Sequence, residues 1–173
     1  MTKFTDYLYD LIQNSISAQA KNIKLTLKHN GLLRVTLEDD GIGMDFKTLA
    51  LVRTFNYTSR TKRSVGLGLS FVYDLATQTN GYFNIDSTQG VGTTLSLGFD
   101  HHHIDFPEFG DIYELVLDIY MHQDVINFRL EYNDLIIDFE DLKLTTLPKT
   151  FKQRTYLKET MIEVFRRGGY ENS

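Results

Sequence analysis

Apolar residues recur at helical spacing near the start of the chain. Leu8, Leu11, Ile12 and Ile16 form one stripe, which predicts an amphipathic helix from residue 3 to about 20. The period then changes to two. Ile23, Leu25 and Leu27 alternate with polar neighbours, as do Leu33, Val35 and Leu37, and Asn30-Gly31 between them suits a type I′ turn. Two antiparallel strands, 22–29 and 32–38, follow from that pattern. A short helix near 46–54, a polar and basic loop over 56–65, and a helix from Leu67 to about Thr79 come next. A second hairpin pairs Tyr82–Ser87 with Thr93–Phe99 through the turn TQGVG. The expected fold class is α/β: a two-layer α/β sandwich, a mixed sheet with helices on one face.

Beyond residue 100 the pattern changes. DHHHIDFPEFGD reads as a connector and Ile112 to Met121 as a helix. Ile126, Phe128 and Leu130 alternate, Asn133-Asp134 turns, and Leu135 to Phe139 returns as a strand. A basic helix over 151–167 ends at Gly168-Gly169. The chain thus divides into residues 1–100 and a small α+β extension over 101–173. The aromatic strands around Phe128, Tyr132 and Phe139 are expected to pack a small core of their own. Adjacent histidines in a strand point to opposite faces, so His101, His102 and His103 fit a solvated connector better than a metal site.

Composition narrows the function classes. The chain has 173 residues, 42% of them hydrophobic, enough to bury a core without covalent staples. Cysteine is absent, which excludes a disulfide scaffold, a thiolate zinc site, an iron–sulfur cluster and a cysteine nucleophile. MTKFTDYLYD lacks the apolar core of a signal peptide and no apolar run reaches membrane-spanning length, so a soluble, cytoplasmic protein with no membrane partner is expected. A formal charge of −5 argues against a nucleic-acid partner.

Four segments carry candidate chemistry. Asp10, Asn14 and Ser17 share one helical face, where Asn14 could anchor a hydrated magnesium ion and Asp10 steer a water molecule. Taken alone, Asp10 and Asn14 fit the solvated side of a surface helix better. Asp39-Asp40-Gly41-Ile42-Gly43-Met44 follows a strand. Its glycines allow a sharp turn and its carboxylate could accept from an exocyclic amine such as adenine's, although such turns also punctuate hairpins. Ser64-Val65-Gly66-Leu67-Gly68-Leu69-Ser70 opens a helix behind Arg60, Lys62 and Arg63. Exposed amides and basic side chains there suit a phosphate, and a packed glycine pair beside a solvated charge run is the alternative. Gly90-Val91-Gly92-Thr93-Thr94 is a tight turn into the last strand of the second hairpin.

In this order the segments resemble the ATP-binding domain of gyrase-type topoisomerases, heat-shock chaperones, histidine kinases and MutL, the Bergerat or GHKL fold. DLIQNSISAQA (10–20) is similar to its N box, DDGIGMD (39–45) to its first glycine box and VGLGLS (65–70) to its second. GYFNIDSTQGVGTTLSL (81–97) resembles the final hairpin of histidine-kinase domains, and the resemblance covers residues 3–99. It implies ATP and Mg2+ as ligands. By the same resemblance Asn14 is the metal-binding asparagine and Asp39 the partner of the adenine amine. Gly41, Gly43, Gly66 and Gly68 are the box glycines, with Leu67 and Leu69 among the nucleotide-binding residues and Thr93 near the base. Asp10 stands where hydrolysing members and anti-sigma serine kinases carry a catalytic glutamate, and is one methylene shorter. Val65 departs from the usual glycine or threonine.

The resemblance implies a slow ATPase whose lid signals nucleotide state to a protein partner of unknown identity. An anti-sigma-type serine protein kinase and a nucleotide-responsive adaptor without turnover are the alternatives. A complete histidine kinase and a MutL-like or gyrase-like clamp are not expected, because little sequence precedes the first helix, nor is a role in DNA repair, because the sequence shows no DNA-handling domain. HIDFPEFGDIYELVLDIY and FRLEYNDLIIDFEDLK resemble the extension of small stand-alone ATP-binding proteins of anaerobic bacteria, often encoded near iron-only hydrogenases.

Overall fold

A computed structural model describes residues 3–55, 67–122, 124, 126–145 and 149–169. The amphipathic start forms α1 (Phe4–Ser17), and the alternating segments form the hairpin β1 (Asn22–Asn30) and β2 (Leu32–Asp39). They are followed by α2 (Phe46–Phe55), α3 (Leu67–Gln78), β3 (Tyr82–Thr88) and β4 (Gly92–Phe99). The remainder supplies α4 (Ile112–Met121), β5 (Asn127–Tyr132), β6 (Leu135–Asp138) and α5 (Phe151–Arg167). The strands make one six-stranded sheet in the order β3-β4-β2-β1-β5-β6. Every neighbouring pair is antiparallel except β1 and β5, which run parallel. This mixed sheet under helices is the α/β architecture that the hydrophobic periods predict.

Burial follows the period of two. Ile23, Leu25 and Leu27 of β1, Leu33, Val35 and Leu37 of β2, and Leu95 and Leu97 of β4 are buried beneath the helices. Residues of the other face pair their charges, some of them partly buried. Lys24 lies 3.2 Å from Glu131, and Arg129 reaches Glu131 at 2.9 Å and Asp138 at 3.1 Å.

The aromatic strands depart from expectation. They do not pack a core of their own but lengthen the same sheet. β5 pairs with β1 from Asn22↔Asn127 to Leu27↔Tyr132, which sets Phe128 beside Ile23 and Leu130 beside Leu25. Phe128 and Phe139 are thereby buried in the one core shared with α1 and β1. A parallel pairing between segments a hundred residues apart leaves no local mark in either strand.

α1 runs from one end of this sheet to the other. At its start, the Phe4 and Thr5 amides, which have no partner within the helix, donate to the carbonyls of Glu108 and Phe109 at 2.8 and 2.9 Å. Phe4 is buried against Phe99 and Phe106, with ring centroids 5.1 and 5.0 Å away. The other end of the helix arrives beside the end of β2, where the glycine-bearing turns gather.

Candidate nucleotide site

Where β2 ends, the chain turns through Asp40-Gly41-Ile42-Gly43, and two segments close on that turn. The Ile42 amide donates to the Ala18 carbonyl at 2.8 Å, tying it to the end of α1, and Gly90 donates to the Ile42 carbonyl at 2.7 Å, tying it to the β3–β4 turn. Contacts this close need glycine. Gly43 has φ +61°, and a Cβ there would stand 2.1 Å from the Thr88 carbonyl oxygen. Gly92 has φ +137°, and its Cβ would stand 1.9 Å from the Asp39 carbonyl oxygen.

The segments enclose a cavity of about 250 Å³. Leu11, Leu37, Ile85 and Leu95 give it apolar walls, and Asn14, Ser15, Asp39 and Thr93 add polar groups. Its size is below the roughly 300–1,000 Å³ of sites for whole drug-sized ligands, and suits one flat ring system with the rest of the molecule outside. Sheet register places Thr93 directly across from Asp39 and also across from Ser87. Ser15 donates to Asp39 Oδ2 at 2.7 Å and the Gly41 amide to Oδ1 at 2.9 Å, so the carboxylate is held from both sides. Each of its oxygens keeps a further lone pair for a ligand. On the opposite side Ser87 Oγ accepts from the Met44 amide and lies 2.9 Å from Thr93 Oγ1, which fixes the hydroxyl of Thr93.

Asp40 does different work. Its carboxylate accepts from the Lys21 amide at 2.7 Å, the Asn22 amide at 2.8 Å and Asn22 Nδ2 at 2.7 Å, binding the end of β2 to the start of β1. Burial pushes its pKa up, but these donors outweigh burial and hold it below the ordinary carboxylate value.

Of the residues singled out in the sequence, the fold brings Asn14, Asp39, Gly43, Leu69 and Thr93 to the cavity. Gly41 sits in the turn beside it, where a Cβ would be 2.7 Å from the Ala18 carbonyl oxygen. A Cβ on Gly68 would lie 3.3 Å from Asp10 Cβ and 3.8 Å from Asn14 Nδ2, so the second glycine box packs against the N-box helix. Asp10 itself does not line the cavity. It is exposed on α1 and borders a neighbouring groove between α1 and α4. Leu67 opens α3. Arg60, Lys62, Arg63 and Gly66 lie outside the described residues. Among the described residues no group of three or more His, Asp or Glu side chains could hold a metal, His101–His103 included.

Ser15 and Ser87 went unremarked in the sequence. Ser15 carries a signal in retrospect: it is a hydroxyl on the apolar side of α1, and it is only 3% exposed. A buried hydroxyl needs a partner, and the nearest acidic turn supplies one.

Residues 2–103 match the family described as histidine kinase-, DNA gyrase B-, and HSP90-like ATPase. The chain belongs to that family. Among relatives of this ATPase domain, a DNA mismatch repair protein MutL from Buchnera aphidicola (subsp. Schizaphis graminum) is 41% identical over 54 residues. That stretch is 31% of this chain and 9% of the relative. The non-motile and phage-resistance protein of Caulobacter vibrioides is 30% identical over 110 residues, 57% of this chain and 13% of the relative. The chain therefore spans a small fraction of the curated relatives it matches. In three dimensions it is similar to the Aquifex aeolicus MutL ATPase domain complexed with ADP, with a TM-score of 0.50 at 13% identity. That similarity covers 90% of this chain and 68% of the other, and shows a shared fold. No helix among the described residues is long and apolar enough to cross a membrane.

Proposed function

We propose that the cavity takes the adenine ring of Mg-ATP and that the protein is a slow ATPase reporting nucleotide state to a protein partner. One observation carries this reading: Asp39, held by Ser15 and Gly41, faces a small apolar cavity of base size. A carboxylate is acceptor-only, so it favours a purine with an amine at its edge and disfavours guanine, whose carbonyl oxygen would oppose it. Thr93, fixed by Ser87, supplies a second polar contact for the base.

The donor set also suits the metal. Asn14 is exposed at the rim, and an amide oxygen is the kind of single protein ligand that a hydrated magnesium ion accepts. The ion would neutralise phosphate charge. Arg60, Lys62, Arg63 and the Gly66–Leu69 stretch supply the remaining phosphate contacts in this reading. Asp10, one turn before Asn14 and against Gly68, would orient or deprotonate the attacking water. The exposure of Asp10 favours a second reading, a protein serine kinase, because a partner's hydroxyl could reach it as water does. A negative net charge supports a reading without nucleic acid. The kinship of the C-terminal part with small proteins encoded near iron-only hydrogenases remains part of the proposal.

Calorimetric titration with Mg-ATP and Mg-GTP, then phosphate release on the same sample, tests it. Saturable ATP binding with GTP at least about tenfold weaker supports the assignment; equal affinities, or no ATP binding, overturn it. Asp10→Asn should keep ATP affinity while lowering turnover by about 10²- to 10⁴-fold. Undiminished turnover in that variant removes Asp10 from the chemistry. Radiolabelled ATP separates the two readings, since hydrolysis releases labelled phosphate and a kinase labels its partner.

A further inference from the structure

At the opposite end of α1 from the ATP site lies a larger cavity of about 680 Å³. From Ile23, beside Asp39, to His29, at the cavity, β1 advances six residues, or about 20 Å, so the two hollows are separate. The connector over 106–111, the start of α4, the end of β5 and Phe165 of α5 surround it. Its volume lies within the range of small-molecule sites.

Five aromatic rings are among its lining residues: Phe106, Phe109, Tyr113, Tyr132 and Phe165. The rings of Phe109 and Tyr132 stand at 88° with centroids 6.4 Å apart, which makes a right-angled corner. Phe165 continues from Tyr132 at 5.5 Å, and Tyr113 from Phe165 at 5.1 Å. Charge breaks the symmetry between possible ligands. Glu108 and Asp111 lie at the rim, and the one lysine there, Lys3, is 4.0 Å from Glu108. The rim is therefore net negative. His29 does not reverse this: burial of its ring and the neighbouring His101 push its pKa down, so it stays uncharged at neutral pH. Burial, and after it the charge of Asp111, push the Tyr113 phenol pKa up, which places that charge close to the ring. An anion would find one already paired lysine and the buried, unpartnered Nδ1 of His101, whereas a cation finds aromatic rings and an excess carboxylate.

We propose that this aromatic cavity binds a small quaternary ammonium ion of about choline's size. Ring quadrupoles attract such a cation face-on, and its methyl groups fill apolar space without requiring hydrogen bonds. The site is independent of the nucleotide reading, and its test is run without nucleotide.

Choline, tetramethylammonium and phenyltrimethylammonium are titrated into the full chain by calorimetry, with 3,3-dimethyl-1-butanol as the uncharged isostere of choline. The ring resonances of His29 are followed by NMR. Saturable binding of at least one cation at about 1 mM or tighter is expected, with shifts at His29 and binding of the isostere at least about fivefold weaker. Asp111→Asn keeps the helix cap, because asparagine caps as well as aspartate, and should weaken the cation at least about threefold. Tyr132→Leu removes a ring face and should weaken it at least about fivefold. Both variants are checked for an unchanged unfolding midpoint, and Asp111→Asn carries the test if Tyr132→Leu unfolds. No saturation by any of the three cations, equal binding of choline and its isostere, or binding that leaves His29 unshifted overturns the proposal.

Discussion

At the Asp39 end of α1 the hollow is made by backbone, and at the Lys3 end it is made by side chains. Around Asp39, turns approach so closely that Gly43 and Gly92 have no room for a Cβ, and the polar groups are fixed by short bonds from Ser15, Gly41 and Ser87. Around Tyr132, rings pack at centroid distances of 5.5–6.4 Å and no comparable glycine contact is needed except at Gly110, whose Cβ would meet Thr5 Oγ1 at 2.2 Å. The first construction tolerates almost no change at its turns but lets its walls vary among aliphatic residues. The second should tolerate exchange of one ring for another, because volume rather than backbone approach sets its shape.

The largest effect that would break this contrast is at Gly92. Gly92→Ala drives a methyl into the Asp39 carbonyl at a φ that L-residues rarely adopt, and should cost about 3 kcal/mol or more. Urea unfolding measures it, and a loss below about 1 kcal/mol would show that the β3–β4 turn is not held against β2. Next comes Asp39→Ala, which removes a charged hydrogen bond of about 1.5–3 kcal/mol and should weaken ATP by about 10- to 150-fold. Calorimetry on the folded variant decides it, and unchanged affinity would take the base away from Asp39.

The same contrast explains what the sequence disclosed. Turns that need glycine leave glycine in the sequence, so the segments around Gly41, Gly43, Gly68 and Gly92 stood out, and the cavity forms where three of them meet. Helix and strand periods likewise marked α1, β1 and β2 to within a few residues. The aromatic end left no such mark. Tyr132, Phe109 and Phe165 belong to three separated segments, a strand, a connector and a helix, which only the tertiary fold brings together, the parallel pairing of β1 with β5 among its contacts. Ser15 escaped for a related reason, since a hydroxyl among apolar helix positions means something only once its partner is known. Its removal sharpens the point. Ser15→Ala should cost about 1 kcal/mol of ATP affinity, close to fivefold, by freeing Asp39 Oδ2 from its 2.7 Å donor. An unaltered affinity would mean that Gly41 alone suffices to hold the carboxylate.

The smallest effect separates the two ends by pH. Asp40 has a folded pKa below its unfolded value of about 3.9, so its contribution to stability is complete above that pH. It is lost as the pH falls further, through the depressed folded value. His29, at the other end, also has a lowered pKa, but its unfolded value is about 6.5. The unfolded chain then binds the proton more readily, and stability begins to fall once the pH drops below about 6.5. Acid should thus loosen the aromatic end first and the turn end last. Both groups are partly in water, so each step is about 1 kcal/mol or less after screening. Denaturant midpoints measured from pH 8 to pH 3 resolve the order. His29→Gln should flatten the segment between about pH 6.5 and 5, and Asp40→Asn the segment below about pH 4. A single acid transition, unchanged by His29→Gln, would show that the rings around His29 do not keep it from water.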